Sequence, residues 1–146
     1  MSTSLATNEE PLKVLFVDDE VLEFRIHKKR ITETDGLAID LDFAQTIEAA
    51  VEKVKETSYQ LIFMDNRLFP NNDFRETVPA LRSAGYVGPV GVVSNDITEP
   101  YFQQFPDYGV DFRIGKDEID AQSIRHIIEE YVFDGIPEEW NEDLNS

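Results

Sequence analysis

A run of four apolar residues, Leu61 to Met64, places the strongest constraint on how this chain can fold. The run shows no alternation of polar and apolar residues, which is typical of a strand buried on both faces in a parallel sheet. Other short apolar segments predict further strands at Leu12–Val17, Leu37–Phe43, Val90–Val93 and Val110–Ile114. In the second of these segments large apolar residues alternate with Ala38, Asp40 and Asp42, which indicates an edge strand with one solvated face.

Segments with helical periodicity separate the strands. Four helices are predicted at about 21–34, 46–57, 71–84 and 119–133, with Thr46 as a helix cap. The core candidates of the first helix are Val21, Phe24, Ile26 and Ile31. Pro79 is expected to kink or shorten the third helix, and Pro100 and Pro106 allow only a short helix before the last strand.

Five alternations of strand and helix predict an α/β fold, a doubly wound three-layer sandwich around a five-stranded parallel sheet. Residues 1–11 are polar and predict a disordered N-terminal arm. Residues 12–133 form the single predicted domain, and residues 134–146 form an acidic tail. Trp140 in this tail is a candidate for docking onto the domain or onto a partner.

Composition limits the possible functions. The chain has no cysteine, which excludes disulfides, zinc-thiolate sites and cysteine nucleophiles. Its formal net charge of −17 disfavours nucleic acid and anionic lipid as partners and leaves proteins or cations. The sequence also lacks an apolar run near the ~20 residues of a membrane span and lacks a signal peptide. We therefore predict a cytoplasmic protein with no membrane partner.

Polar residues follow the ends of several predicted strands: Asp18, Asp19, Asp65, Ser94 and Lys116. Right-handed crossovers bring the carboxyl ends of parallel strands to one edge of the sheet, where ligands bind in folds of this kind. Clustered carboxylates raise one another's pKa unless a cation neutralises them, and an oxygen-only cluster suits Mg²⁺. Carboxylate, Mg²⁺, lysine and hydroxyl are together the parts that phosphoryl transfer needs.

Four of these residues also have a simpler interpretation. Asp18 and Asp19 could be a helix cap and a first-turn acid favoured by the helix dipole. Ser94 alone could be a turn residue, and Lys116 could merely pair with surrounding acids. The metal interpretation becomes the better one only when the aspartate pair is combined with Asp65 and Lys116.

Four segments together resemble the receiver domain of two-component response regulators: VLFVDDE at 14–20, FMD at 63–65, VVSND at 92–96 and GVDFRIGKD at 109–117. The resemblance implies the sheet order 2-1-3-4-5. It implies that Asp65 accepts a phosphoryl group from a histidine kinase or a histidine phosphotransfer protein. It further implies Mg²⁺ bound by Asp18, Asp19, Asp65 and the backbone carbonyl of Arg67. Lys116 and Ser94 would contact the phosphoryl group, and Ser94 with Phe112 would form the switch.

The chain also departs from the usual receiver pattern. Pro70 lies five residues after Asp65 instead of four, which predicts a longer loop, and Asp117 follows Lys116 where receivers usually have proline. A cis peptide bond after Lys116 is therefore not expected. Pro100 and Pro106 bracket the short helix predicted before the last strand, which also weakens the expectation of a standard receiver dimer.

The resulting hypothesis is a single-domain response regulator that is not an enzyme beyond self-phosphorylation and autodephosphorylation. It would be a monomer or weak dimer that signals through an unknown protein partner, or a phosphorelay intermediate or sink. The alternative is a phosphorylation-independent protein-binding module on the same fold. A true enzyme is disfavoured, because a haloacid-dehalogenase-type phosphatase needs Asp-x-Asp after the first strand and a flavodoxin needs a phosphate-binding loop there.

Overall fold

The sheet of this chain contains five parallel strands in the order β2-β1-β3-β4-β5, in a computed structural model that describes residues 11–34 and 36–133. The strands are β1 (Leu12–Val17), β2 (Ile39–Ala44), β3 (Leu61–Asp65), β4 (Val90–Ser94) and β5 (Phe112–Gly115). This confirms the predicted α/β class, the sheet order and the edge position of β2. The second and fifth strands both begin two residues later than predicted. Nearly all of the predicted arm, and the whole acidic tail with Trp140, lie outside the described residues.

Within residues 11–34 and 36–133, four α-helices connect and cover the strands: α1 (Val21–Thr32), α2 (Ile47–Glu56), α3 (Phe74–Ser83) and α4 (Ala121–Ile127). The residue that precedes each of the last three helices caps it, because Thr46, Asp73 and Asp120 accept a backbone N–H from the first turn. The end of α4 continues as a π-helical turn, Ile128–Val132. In the described part of the chain, no helix has both the length and the apolar character that a membrane crossing requires.

Two prolines limit the type of helix that connects β4 to β5. A 3-10 helix, Pro100–Tyr108, occupies this position, with one proline at its start and Pro106 inside it. Proline lacks the N–H that an α-helix interior requires, which favours a short, tighter helix here. The segment ends at Gly109, whose φ of 85° lies in the left-handed region that glycine adopts without strain. Pro79 has less effect than expected, because α3 continues past it to Ser83.

The sheet separates two apolar layers. One layer lies under α2, α3 and the 3-10 helix and includes Phe74 and Phe102, which are both fully buried. The other lies under α1 and α4 and includes Phe24 and Ile31. The prediction that Val21 and Ile26 of α1 belong to the core was wrong, because these residues are 40% and 53% exposed. The buried face of α1 is instead the stripe Phe24, His27 and Ile31.

Candidate functional site

Three carboxylates meet at the carboxyl edge of the sheet, as the sequence predicted. Asp18 follows β1 and Asp65 is the last residue of β3, and both are buried, whereas Asp19 is half-buried. The two strands are neighbours in parallel register, with Val17 opposite Met64, so their ends arrive together. One carboxylate oxygen from each of the three residues lies within 4.8 Å of the other two.

Backbone N–H groups bond to two of these carboxylates, but one buried carboxylate oxygen has no partner among the described residues. Asp18 Oδ1 accepts the backbone N–H of Glu20 at 2.9 Å, and Asp19 Oδ2 accepts that of Phe69 at 3.3 Å. Asp18 Oδ2 is buried and has no hydrogen-bond partner among the described residues. A buried carboxylate oxygen without a partner is costly unless a cation occupies the site. This orphaned atom and the all-oxygen donor set therefore fit Mg²⁺.

The electrostatics of the site show the same need for a cation. Burial raises the pKa of Asp65 from its ordinary value of 3.8 to about 7, and the neighbouring charge of Asp18 adds to the rise. Burial also raises the pKa of Asp18. The positive charge of Lys116 lowers the pKa of both aspartates, but both pKa values remain above the ordinary value. Positive charge beyond this one lysine would therefore favour the ionised forms of Asp18 and Asp65.

Lys116 reaches the cluster from the end of β5. Its Nζ lies 3.5 Å from Asp65 Oδ1, but it lies only 2.6 Å from Glu23 Oε1 on α1. Burial opposes the charged form of Lys116, yet the hydrogen bond to Glu23 and the nearby aspartates raise its pKa above the ordinary value. The lysine is therefore held as a cation, and Glu23 is its nearest acidic partner.

Ser94 lines a cleft that also contains Asp65 and Lys116. The cleft has a volume of about 230 Å³ and is lined by Asp65, Arg67, Ser94, Asn95, Asp96, Glu99 and Lys116. The Ser94 hydroxyl donates to the backbone carbonyl of Asp96 at 3.2 Å and accepts the Asp96 N–H at 3.3 Å. The hydroxyl is thus near Asp65 in the fold but bonded to its own loop.

The side chain of Arg67 lies at the mouth of the cleft. It is 68% exposed, and its guanidinium forms an ion pair with Glu99 Oε2 at 3.3 Å. This pair joins the loop after β3 to the residue before the 3-10 helix. The predicted role of the Arg67 carbonyl as a metal ligand stays a prediction.

Phe112 lies away from the cleft. Its ring is buried between Phe63, in an edge-to-face contact at 6.0 Å, and Tyr131, stacked at 4.7 Å. Successive strand residues face opposite sides of a sheet, so Phe112, Val93 and α4 share one layer while Ser94 faces the other. The structure therefore does not bring Phe112 and Ser94 into contact, and the predicted switch role of this pair stays a prediction.

Two residues of the site were missed by the sequence analysis. Glu23 lies in the first turn of α1, where the helix dipole already explains an acidic residue, so no local signal indicates its contact with Lys116. Asn66 follows Asp65 and is buried. Its side-chain amide donates to the Tyr101 hydroxyl at 2.8 Å and accepts the Phe74 N–H at 3.2 Å. Asn66 thereby ties the end of β3 to α3 and to the 3-10 helix.

A comparison with known protein families identifies the family of this chain. The family model described as "Response regulator receiver domain" matches residues 14–129. The chain belongs to this family. Receiver domains are phosphoacceptor signalling modules that histidine kinases phosphorylate, and they are not enzymes in the classical sense. The acidic cluster at the carboxyl edge of this receiver is consistent with such a phosphoaccepting role and is typical of the metal site of receivers.

Solved structures of other receivers share the fold. The chemotaxis response regulator CheY4 of Vibrio cholerae matches with a TM-score of 0.68 and 17% identity, over 83% of this chain and 98% of that one. A CheY-like receiver from Methanospirillum hungatei gives a TM-score of 0.68 and 19% identity, over 83% and 93%. The receiver of the sensor histidine kinase PA1611 from Pseudomonas aeruginosa gives 0.71 and 14%, over 84% and 98%; its structure holds a magnesium ion in the active-site cleft. No curated protein sequence matches the chain significantly.

Proposed function

We propose that this receiver accepts a phosphoryl group on Asp65, in a reaction that depends on Mg²⁺. The observation that carries the proposal is the position of Asp65. Its side chain is only 5% exposed, lines an open cleft, has a lysine 3.5 Å away and shares its surroundings with two further carboxylates. A structural aspartate in such surroundings would be costly, whereas a nucleophile needs this combination of rigid support and access to a reactant.

The chemistry follows from the carboxylate and its neighbours. An Asp65 oxygen attacks the phosphorus of a phosphohistidine; the new O–P bond forms as the N–P bond breaks. The electron pair of the broken bond stays on the imidazole nitrogen, which then takes up a proton from water. Asp18, Asp19 and Asp65, with the backbone carbonyl of Arg67, would hold the metal. When bound, Mg²⁺ supplies neutralisation of the charge on the carboxylates and on the transferred group.

Two side chains of this receiver would bind the transferred group. Lys116 lines the cleft beside Asp65 and can donate to a phosphoryl oxygen as a charge-assisted hydrogen bond. The Ser94 hydroxyl can donate to a second oxygen after it leaves the Asp96 carbonyl. Because Asp65 and Ser94 are both buried, the bonds that they form would be shielded from competing water.

The phosphoryl donor in this proposal is a histidine kinase or a histidine phosphotransfer protein. The phosphorylated receiver would then act on a downstream protein partner, or would pass the group on as a relay or sink. The strongly negative charge of the chain supports proteins rather than nucleic acid as partners.

The test is phosphorylation by acetyl phosphate, followed by mass spectrometry. Wild-type protein with Mg²⁺ should gain the mass of one phosphoryl group, and Asp65→Asn should gain none. Asp40→Asn is the matched control, because Asp40 lies on the edge strand β2 and pairs with Lys13 at 2.8 Å near the amino ends of the strands, whereas the cleft lies at their carboxyl ends. This variant should be phosphorylated like wild type. A gain that survives Asp65→Asn, or no gain and no response to beryllofluoride in wild type, would contradict the proposal. The second result would favour a phosphorylation-independent binding module.

A further inference from the structure

Glu23 holds the lysine of the proposed phosphorylation site. The Lys116 Nζ is 2.6 Å from Glu23 Oε1 and 3.5 Å from Asp65 Oδ1, although Lys116 and Asp65 both line the cleft and Glu23 does not. The lysine side chain is only 15% exposed, so water rarely replaces the hydrogen bonds that its ammonium group donates. Its shortest ion pair is therefore with a residue that precedes it by 93 positions and lies outside the cleft.

We propose that Glu23 is a positioning residue that competes with the phosphoryl group for Lys116. The inference rests on the proposed function, since it concerns how the same site is regulated. A phosphoryl group on Asp65 adds about 1.5 to 2 negative charges and three acceptor oxygens within reach of the lysine. Lys116 must then either break its ion pair with Glu23 or donate hydrogen bonds to both Glu23 and the phosphoryl group. Either way, the free energy of the Glu23–Lys116 pair opposes the phosphorylated state.

The location of Glu23 makes this competition adjustable. Glu23 belongs to the first turn of α1, and its side chain is 39% exposed, so it is accessible from solvent without entry into the cleft. Lys116 and Asp65 are instead 15% and 5% exposed. Contact with the exposed carboxylate of Glu23 would release Lys116 toward Asp65. The ion pair therefore links the outer surface of α1 to the proposed phosphoacceptor.

Beryllofluoride, which mimics a phosphoryl group on aspartate, tests the competition directly. Wild type, Glu23→Gln and the control Glu20→Gln are titrated with beryllofluoride at saturating Mg²⁺, and NMR follows both binding and the side-chain signals of Lys116. Glu20 is the matched control because it removes one acid from the same helix end, and the Glu20 contact at the site is through its backbone N–H. Glu23→Gln should bind about two- to fivefold more tightly than wild type, the factor expected for a partly exposed ion pair. Glu20→Gln should bind like wild type.

A double-mutant cycle separates positioning from a general charge effect. In a Lys116→Met background, Glu23→Gln should no longer change the affinity, because the competition requires the lysine. Before any beryllofluoride is added, Glu23→Gln should also shift the Lys116 side-chain signals, and Glu20→Gln should leave them unchanged. An equal gain in Glu20→Gln, or a gain that persists in Lys116→Met, would overturn the inference.

The outcomes also separate the inference from the proposed function. If wild type binds beryllofluoride and Glu23→Gln binds it no more tightly, the competition is wrong and the phosphoacceptor role stands. If neither protein binds it at saturating Mg²⁺, the phosphoacceptor role fails and the competition fails with it.

Discussion

Replacing Asp65 with asparagine should stabilise the folded protein when no divalent cation is present. The substitution keeps the shape of the side chain and removes a charge that is buried beside Asp18 and Asp19. Burial raises the pKa of Asp65 to about 7, which means that the fold favours the uncharged side chain. An uncharged amide should therefore fit this position better than a carboxylate does at alkaline pH.

The magnitude and sign follow from the pKa of Asp65 in the two states. In the unfolded chain the carboxyl ionises near its ordinary value of 3.8, and in the folded chain near 7. Between these values the folded state binds more protons than the unfolded state, so stability falls as the pH rises and the loss is complete above the folded pKa. Each pKa unit corresponds to about 1.4 kcal/mol, which makes the full loss roughly 4 kcal/mol. Asp65→Asn escapes this loss and should exceed wild type by up to that amount at pH 8.

Urea unfolding in EDTA at pH 8 and at pH 4 measures the difference. At an m-value of about 2 kcal/mol/M, the gain at pH 8 would move the urea midpoint upward by roughly 2 M, and the gain at pH 4 should be small. Asp73→Asn is the opposite control, because hydrogen bonds from the Arg75 side chain hold the pKa of this buried aspartate below its usual range. That variant should be less stable than wild type at pH 8. An Asp65→Asn variant no more stable than wild type at pH 8 would refute the electrostatic reasoning.

The remaining predictions concern packing around the sheet, and urea unfolding checks each of them. Phe74→Ala should lower the free energy of unfolding by about 3–5 kcal/mol, because the ring is fully buried. Phe69→Ala should change stability by less than about 0.5 kcal/mol, because that ring is 75% exposed; equal losses in the two variants would contradict the burial argument. Gly91→Ala should cost about 1–3 kcal/mol, because the new methyl group would overlap the Phe112 ring, and an unchanged stability would mean that the ring moves aside. Asn66→Ala should cost about 1–3 kcal/mol, because the Phe74 N–H would lose its buried acceptor; a neutral effect would show that another group replaces it.

The architecture could be predicted because parallel strands buried on both faces have a distinctive composition. β3 and β4 are buried at every position, and the sequence shows this as apolar runs without alternation. Which face of α1 is buried was less predictable. The apolar residues Val21 and Ile26 suggested a core face, but only the stripe through Phe24 and Ile31 contacts the sheet. The position of a helix relative to the sheet depends on tertiary packing, which local periodicity does not contain.

The convergence of Asp18, Asp65 and Lys116 could also be predicted, because crossover geometry places all carboxyl ends of the strands at one edge. The pairing of Lys116 with Glu23 could not. A glutamate in the first turn of a helix already has a sufficient explanation in the helix dipole, and nothing local indicates a partner 93 residues away. The position of Phe112 depends on which residue of β5 faces which side of the sheet, and the motif alone did not define that register.

The 3-10 helix between β4 and β5 has a consequence for local opening of the fold. Its backbone bonds, such as Phe102 N–H to the Glu99 carbonyl and Gly109 N–H to the Pro106 carbonyl, span three residues and have poorer geometry than α-helical bonds. Amide hydrogens of this segment should therefore exchange with solvent well before those of β3 and β4. Glu99 immediately precedes the segment and pairs with Arg67 across the cleft. The mouth of the cleft can thus open through a local fluctuation while the sheet that supports Asp65 remains intact.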